Sequence, residues 1–167
     1  AINTILKNFD FKNPSASVPS LVTVYSMINK LEDEHWKNIK LKELKDIIAY
    51  CSGLYLEAAA ESQSYIPTAT AMINWEAVNR SPVTLKLKSV TVLPENREFQ
   101  QNIVLENNVD HTNSITITIP KNEAYTSPYW LTEKGSKGMY TVSDQQKIGR
   151  PDIIRDMAVL FVTEING

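Results

Sequence analysis

Apolar residues recur at helical spacing in two stretches of the first third of the chain. The first stretch begins at Pro19 and Ser20, and the second follows His35 and Trp36. Residues three and four apart share one face of a helix, so each stretch predicts an amphipathic helix. The predicted apolar stripes are Leu21, Val24, Tyr25, Ile28 and Leu31, then Leu41, Leu44, Ile47, Ile48 and Cys51. Such helices must pair as a hairpin or dock on the rest of the chain.

The boundaries of this helical segment follow from turn and capping residues. Gly53 is a natural end for the second helix, because glycine readily adopts the left-handed conformation that terminates helices. Residues 1–17 are polar and contain Pro14, so they are predicted to be an extended lead-in. The helical segment therefore covers residues 18–53.

After residue 53 the hydrophobic period changes from helical to alternating. Residues 54–61 are predicted to be a strand, although their propensity also permits a helix. Further strands are predicted at 68–79, 83–93, 103–105 and 114–120, with turn residues such as Pro82 and Pro94 between them. The cleanest alternation places Ile115, Ile117 and Ile119 opposite Thr116 and Thr118, while Trp75 falls on an apolar face and is predicted to be core.

The last third of the chain is an irregular segment followed by one strand. Residues 121–155 carry glycines and prolines, including Gly149 and Pro151, and predict a long excursion. Residues 157–165 are apolar on both faces, which is typical of a central strand. The predicted fold class is α+β: a short N-terminal helical hairpin followed by an antiparallel immunoglobulin-like β-sandwich over residues 54–167.

Composition narrows the possible partners. The formal net charge of −2 argues against nucleic acid, which selects basic surfaces. No run of about 18 apolar residues is present, so no membrane span is predicted. The N-terminus lacks the apolar core of a signal peptide, which indicates either a cytosolic protein or an excised piece. The sequence stops directly after the last strand, and this favours excision.

Side chains that usually carry catalysis are scarce, and no catalytic, cofactor-binding or metal-ligating residue is predicted. Cys51 is the single cysteine, and its place on an apolar stripe indicates a buried small hydrophobe. His35 lies in the acidic stretch 32–36, interpreted as a solvated helix end. His111 follows Asp110, which could orient it, but no nucleophile motif accompanies the pair. A hydrolase that uses two paired carboxylates is a further interpretation, but no two acidic residues in the sequence form a pattern that singles them out as such a pair.

Four aromatic residues of the irregular segment are the candidate ligand-binding site: Tyr125, Tyr129, Trp130 and Tyr140. Such rings can stack on sugars, or they can plug the open end of a β core. The plugging interpretation is favoured, and it predicts that Trp130→Ala destabilises the fold by roughly 3–5 kcal/mol. Exposed, coplanar rings would favour glycan binding instead.

Several motifs resemble one protein family. They are WKNIKLKELKDIIAYCSGLYLEA at 36–58, VNRSPVTL at 78–85, YTSPYWL at 125–131, GMYTV at 138–142 and IGRP at 148–151. Together they resemble a region of large Bacteroidetes-type PIG-L (LmbE-like) deacetylases that follows the catalytic domain and leads into an immunoglobulin-like sandwich. The family's Ala-His-Pro-Asp-Asp zinc motif and later histidine pair do not occur in this sequence.

The resemblance implies a non-catalytic accessory module of a larger zinc-dependent N-acetyl-sugar deacetylase. Its partners would be the upstream catalytic domain of the same polypeptide and, as an alternative function, a glycan bound by the loop aromatics. The location implied is extracytoplasmic, in the periplasm or cell envelope. The module itself would act as a structural or interaction spacer and need no cofactor.

Overall fold

The chain folds into a helical unit followed by two antiparallel β-sheets. The computed structural model describes residues 1–93, 95–150 and 157–166. The helices are α1 (Ile2–Lys7), α2 (Val18–Ile28) and α3 (Glu34–Ser52), and a 3-10 turn covers Pro14–Ser17. The strands are β1 (Leu54–Ala60), β2 (Thr70–Asn79), β3 (Leu85–Leu93), β4 (Arg97–Leu105), β5 (Asp110–Thr118) and β6 (Ala158–Ile165). The predicted α+β composition is confirmed.

Local capping chemistry sets both ends of α3. The carboxylate of Asp33 accepts a hydrogen bond from the backbone N–H of Trp36, at 3.1 Å, and so satisfies a free donor of the first turn. Gly53 ends the helix in the left-handed conformation, with φ of 65°. The acidic stretch before Trp36 is therefore a helix N-cap, and the predicted end at Gly53 is confirmed.

The prediction of an extended lead-in over residues 1–17 is wrong. This stretch contains α1 and the 3-10 turn, and Ile5 packs against the cluster formed by α2 and α3. Its apolar residues Ile2, Ile5, Leu6 and Phe9 have helical spacing, which the polar residues between them obscured. The helical segment thus has three helices and is more than a hairpin.

The strands form two three-stranded antiparallel sheets. One has the order β1-β2-β5, and the other has the order β4-β3-β6. The two sheets share one hydrophobic core, to which β2, β3, β4 and β5 each contribute buried residues. Trp75 of β2 is 2% exposed and meets Phe161 of β6 edge to face, so its predicted core position is confirmed.

Most predicted strands are present. β5 begins at Asp110 and not at the predicted residue 114, and two further differences concern β4 and β6. The strand predicted at 103–105 begins at Arg97. The sequence does not predict its first half, because Phe99 is the one apolar residue among polar side chains there, although Phe99 packs against the sheet core. The prediction that the last strand is central is wrong for the described residues, where β6 pairs with β3 alone. Its residues Leu160 and Val162 are 52% and 42% exposed despite their apolar character.

The helical unit is fixed to the sheets at two points. Val83 and Ile165 pack against both the helical cluster and the sheet core. At the joint between α3 and β1, the backbone N–H of Arg80 donates to the carbonyl of Gly53 at 3.1 Å. Parts of the sequence-based prediction fall on residues outside the described ranges. These are the predicted turn residue Pro94, the end of the irregular segment at 151–156 with Pro151, and Gly167 at the end of the predicted sandwich.

Candidate functional site

The aromatic residues of the segment between β5 and β6 do not form a flat platform. Tyr129 and Trp130 lie in a short 3-10 helix, Tyr129–Leu131, with ring centroids 4.9 Å apart and an angle of 90° between the rings. Both are half-buried, whereas Tyr125 and Tyr140 are 76% and 67% exposed. The favoured plugging interpretation is therefore wrong for Tyr125 and Tyr140, because side chains so exposed cannot fill a core.

Hydrogen bonds organise this aromatic segment without a regular sheet or long helix. The carboxylate of Glu133 accepts from the backbone N–H of Ser143 at 2.9 Å and from its hydroxyl at 2.7 Å. These bonds, the backbone one first, lower the pKa of Glu133 because they stabilise the ionised carboxylate. The hydroxyl of Tyr129 accepts from the backbone N–H of Gly149 at 3.3 Å. The segment is thus an ordered loop that presents two exposed tyrosines.

The helical unit carries an apolar groove that sequence reading did not anticipate. Its cavity volume is about 240 Å³, and it lies between α1, α2 and α3. Leu6, Phe9 and Ile47 line it and are 75%, 38% and 46% exposed. The α1 side of the groove is not predicted, because the polar residues of 1–17 indicate an extended lead-in. Contiguous apolar side chains open to solvent are typical of an interaction surface.

A polar cleft of about 320 Å³ lies on the outer face of the β1-β2-β5 sheet. Glu57 and Glu76 face each other in register across β1 and β2, and Asn74 accepts a hydrogen bond from the hydroxyl of Ser114 at 2.7 Å. Sequence reading missed this carboxylate pair because the register between strands is not visible in the pattern of one strand. A glycosidase pair needs one carboxyl group in an apolar pocket and the other in a polar setting. Glu57 and Glu76 share one open sheet face instead.

Tyr55 contacts Glu57, one of the residues that line this cleft. Its hydroxyl donates to the carboxylate of Glu57 at 2.7 Å, and the guanidinium of Arg80 lies 4.8 Å from its ring centroid. The hydrogen bond to Glu57 is the main cause that raises the pKa of Tyr55, because loss of the proton would leave two negative charges together. The contact ties β1 to the turn that follows β2.

The structure keeps the two histidines in unrelated surroundings. His35 is exposed and stacks edge to face on Trp36, with 5.4 Å between ring centroids. The Nε2 of His111 lies 2.9 Å from the carboxylate of Glu106, so the acidic partner is Glu106 and not the Asp110 that the sequence suggested. A backbone hydrogen bond within Glu106 and the contact with His111 both lower the pKa of Glu106.

Cys51 lies half-buried on α3, beside the helical cluster. Desolvation raises the pKa of its thiol, so the reactive thiolate is disfavoured at neutral pH. Across residues 1–93, 95–150 and 157–166, no three His, Cys, Asp or Glu side chains come together as metal ligands. Within the same ranges, no helix has the length and hydropathy needed to span a bilayer.

In comparisons with known proteins, no protein-family model, curated protein or solved structure matches the chain.

Proposed function

We propose that this chain is a non-catalytic accessory module of a larger polypeptide that resembles the PIG-L-like N-acetyl-sugar deacetylases. It works as a structural and interaction unit whose helical face docks on the upstream catalytic domain. The observation that carries this proposal is the apolar groove between α1, α2 and α3, with Leu6 and Ile47 open to solvent. An exposed apolar surface of this kind is stabilised by a protein partner.

The groove lies on helices that are packed against the sheets, so it can hold a bound domain in a fixed orientation. The helices around it are joined to the sheet core through Val83 and Ile165, and the α3–β1 joint is closed by the Gly53–Arg80 hydrogen bond. A domain held in the groove would therefore have a fixed orientation relative to both sheets. This is what a rigid spacer requires.

The strand order supports an immunoglobulin-like sandwich as the architecture of the β part. In immunoglobulin nomenclature the sheet β1-β2-β5 corresponds to strands A, B and E, and the sheet β4-β3-β6 to C′, C and F. The shared core between the sheets fits face-to-face packing. Sandwiches of this type serve many proteins as non-catalytic modules, so this support concerns the architecture and not the ligand.

The test uses the upstream domain of the parent polypeptide, produced separately, and titrates it into this chain by calorimetry. Leu6→Asp and Ile47→Asp place a charge in the groove and should weaken the Kd at least about tenfold each. Val104→Asp is the matched control, because Val104 is 53% exposed but lies on the β4 edge. Absence of binding by the unmodified chain, or equal weakening by the control, would contradict the proposal.

A carbohydrate-binding module is the second candidate, favoured by the exposure of Tyr125 and Tyr140. Exposed tyrosine rings on an ordered loop can stack on sugar rings, and each ring can add about 1 kcal/mol to binding. The angle of 90° between the half-buried Tyr129 and Trp130 makes those two less suited to a shared sugar plane.

Binding of acetylated amino-sugar oligomers, followed by calorimetry, tests this second candidate. Tyr125→Ala and Tyr140→Ala should abolish the heat of binding. Tyr50→Ala is the control, since Tyr50 is 81% exposed but lies on α3. No detectable heat with the unmodified chain would exclude these glycans as ligands of the loop.

A further inference from the structure

The loop between β5 and β6 contains a closed turn at residues 133–143, which we call the finger. Every residue from 134 to 141 is exposed to solvent, so this stretch projects from the rest of the loop. The carboxylate of Glu133 closes the base of the finger, because it accepts two hydrogen bonds from Ser143. At the tip, the backbone groups of Ser136 and Met139 bond to each other, at 3.0 Å and 3.3 Å. The finger is thus fixed both at its base and at its tip.

Two glycines allow the finger to be this narrow. Gly138 has a φ of 81° and is the third residue of the tip, where a type II turn requires a positive φ. A Cβ added to Gly135 would lie 2.6 Å from the carbonyl oxygen of Met139, so the backbone approaches itself too closely there for a side chain. The side chains of the tip therefore extend from a compact backbone into solvent.

These side chains are apolar and basic. Met139 and Tyr140 are 72% and 67% exposed. Lys134 and Lys137 lie beside them in the same turn, and neither ammonium group is paired with a carboxylate among the described residues. Glu133 is the one acidic residue of the finger, and its carboxylate is already used in closing the base. The tip therefore combines open apolar surface with unpaired positive charge.

The surroundings of the finger have the same character. Leu131 and Ile148, on either side of it in the chain, are 57% and 54% exposed. Residues 121–150 hold five basic and three acidic residues, so their net charge is +2 within a chain whose net charge is −2. A local excess of positive charge favours an anionic partner. Apolar and tyrosine side chains among lysines are typical of surfaces that enter the headgroup region of a bilayer.

The backbone of the tip also suits a lipid environment. Acyl chains offer no hydrogen bonds, so a backbone that approaches them must satisfy its own polar groups. Met139 does so, because its N–H donates to the carbonyl of Ser136 and its carbonyl accepts from the N–H of Ser136. Tyr140, which follows, has a hydroxyl that can stay among the headgroups while its ring is covered.

We propose that the finger binds an anionic lipid surface, with Met139 and Tyr140 inserted at headgroup depth and Lys134 and Lys137 on lipid phosphates. The finger would then hold the β part of the protein against a membrane. The groove between α1, α2 and α3 has a protein as its proposed partner, and the two surfaces share no residue. This inference is therefore independent of the proposed docking of the helical face.

The test measures by co-sedimentation how the unmodified chain partitions into phospholipid vesicles. One set of vesicles contains equal parts of phosphatidylglycerol and phosphatidylcholine, and the other contains phosphatidylcholine alone. We expect binding to the anionic vesicles to be at least about tenfold tighter, because each lysine at the surface of an anionic bilayer contributes about a factor of five. Added salt should weaken this binding, since it screens the attraction.

Two lysine variants test the charge contribution. Lys134→Gln and Lys137→Gln should each weaken partitioning into the anionic vesicles about fivefold. Lys42→Gln is the matched control, because Lys42 is an exposed lysine on α3, and it should leave partitioning unchanged.

A methionine variant tests the apolar contribution. Met139→Ser should weaken partitioning at least about fivefold, because the serine side chain gains little from leaving water. Met27→Ser is its control, since Met27 is 55% exposed but lies on α2. Met139 is not a ring that could stack on a sugar, so this variant also separates lipid binding from the glycan binding considered for Tyr140. The substituted side chains are exposed, and each variant should keep the Tm of the unmodified chain.

Failure of the unmodified chain to bind the anionic vesicles would overturn the proposal. Equal binding to both kinds of vesicle would overturn the role of the lysines. Equal losses in Met139→Ser and Met27→Ser would also contradict the proposal, because the helical face would then be the lipid-binding surface. Docking of a protein domain in the helical groove is measured without lipid, so its outcome is distinguishable from each of these results.

Discussion

At the residue scale, Asn79 is the polar side chain on which the turn after β2 depends. It is 2% exposed, and its amide donates to the carbonyls of Val83 and Leu105 at 2.9 Å each. The side-chain oxygen Oδ1 of Asn79 accepts a hydrogen bond from the backbone N–H of Ser81 at 3.0 Å. One buried amide at the end of β2 thus satisfies backbone groups of the following turn and of the end of β4. An asparagine before a proline-containing turn suggests turn formation, but its bond to Leu105 was not predictable.

Asn79→Ala should therefore lower the free energy of unfolding by about 3 kcal/mol, because several buried backbone groups lose their partners. Asn74→Ala is the matched control on the same strand, with an exposed side chain, and should cost no more than about 0.5 kcal/mol. Urea unfolding measures both. Similar costs for the two variants would show that the buried network does not support the turn.

Substitution by alanine is expected to cost different amounts of stability at Trp75 and at Trp130. Trp75→Ala should cost about 4 kcal/mol, because Trp75 is 2% exposed and contacts Phe161 in the core. Trp130→Ala should cost only about 1 kcal/mol, since Trp130 is half-buried and its ring packs on Tyr129 in the loop. The larger cost expected for Trp130 from the plugging interpretation is thereby revised. Thermal unfolding with equal Tm losses would contradict this ranking.

At the scale of elements, the joint between α3 and β1 depends on one glycine. Gly53 has a φ of 65°, and a Cβ added there would lie 3.1 Å from the Cβ of Arg80. Gly53→Ala should cost about 1–2 kcal/mol, from backbone strain and this close approach together. Ala49→Gly, in the interior of the same helix, separates this strain from ordinary helix propensity and should cost about 1 kcal/mol. A Gly53→Ala variant as stable as the unmodified chain in urea would be incompatible with a glycine-dependent joint.

The loop between β5 and β6 has a predicted pH response. Hydrogen bonds from Ser143 lower the pKa of Glu133 below its ordinary value of 4.5. A carboxyl group with a lowered folded-state pKa stabilises the fold above the unfolded pKa, and this stability is lost as pH falls through the folded value. The bonds should therefore hold at neutral pH and loosen in the acid range below about 4.5.

An NMR titration of the Glu133 carboxyl carbon measures this shift directly. Ser143→Ala removes the hydroxyl bond but keeps the backbone one, so the pKa of Glu133 should move part of the way back toward 4.5. Ser136→Ala is the control: it changes another serine of the same loop and should leave the pKa of Glu133 unchanged. A Glu133 that titrates at 4.5 in the unmodified chain would rule out the ordering role of the two bonds.

Sequence patterns predicted elements well where one face is apolar and one is polar. The α3 stripe ending at Gly53 and the alternation of Ile115 and Ile117 are both found, because burial imposes the period directly. The polar first half of β4 was missed, since its pairing comes from backbone bonds to β3. The sites were less predictable. The groove forms only where three helices meet, and the Glu57–Glu76 pair forms only through the register between two strands. Neither arrangement is visible in the pattern of a single element.

At the scale of the whole molecule, helices and sheets are one packed structure. Val83 and Ile165 belong to both apolar clusters, so loss of either cluster removes support from the other. Urea unfolding should then show coincident midpoints by circular dichroism at 222 nm, which follows helix, and by tryptophan fluorescence. Val83→Ala should shift both midpoints together, at a cost of about 1–2 kcal/mol. Two separated midpoints would mean that the helical unit unfolds independently.

The pairing of β3 with β6 also has a consequence for synthesis on the ribosome. Lys88 and Glu164, joined across these strands, are 76 residues apart in the chain. At a translation rate of about 5–20 residues per second, β3 is made roughly 4–15 s before its partner emerges. During this interval the nascent chain carries an unpaired β3 edge beside a half-built core. Slow production of this polypeptide would therefore lengthen the period in which a chaperone, or a neighbouring nascent chain, can capture that strand.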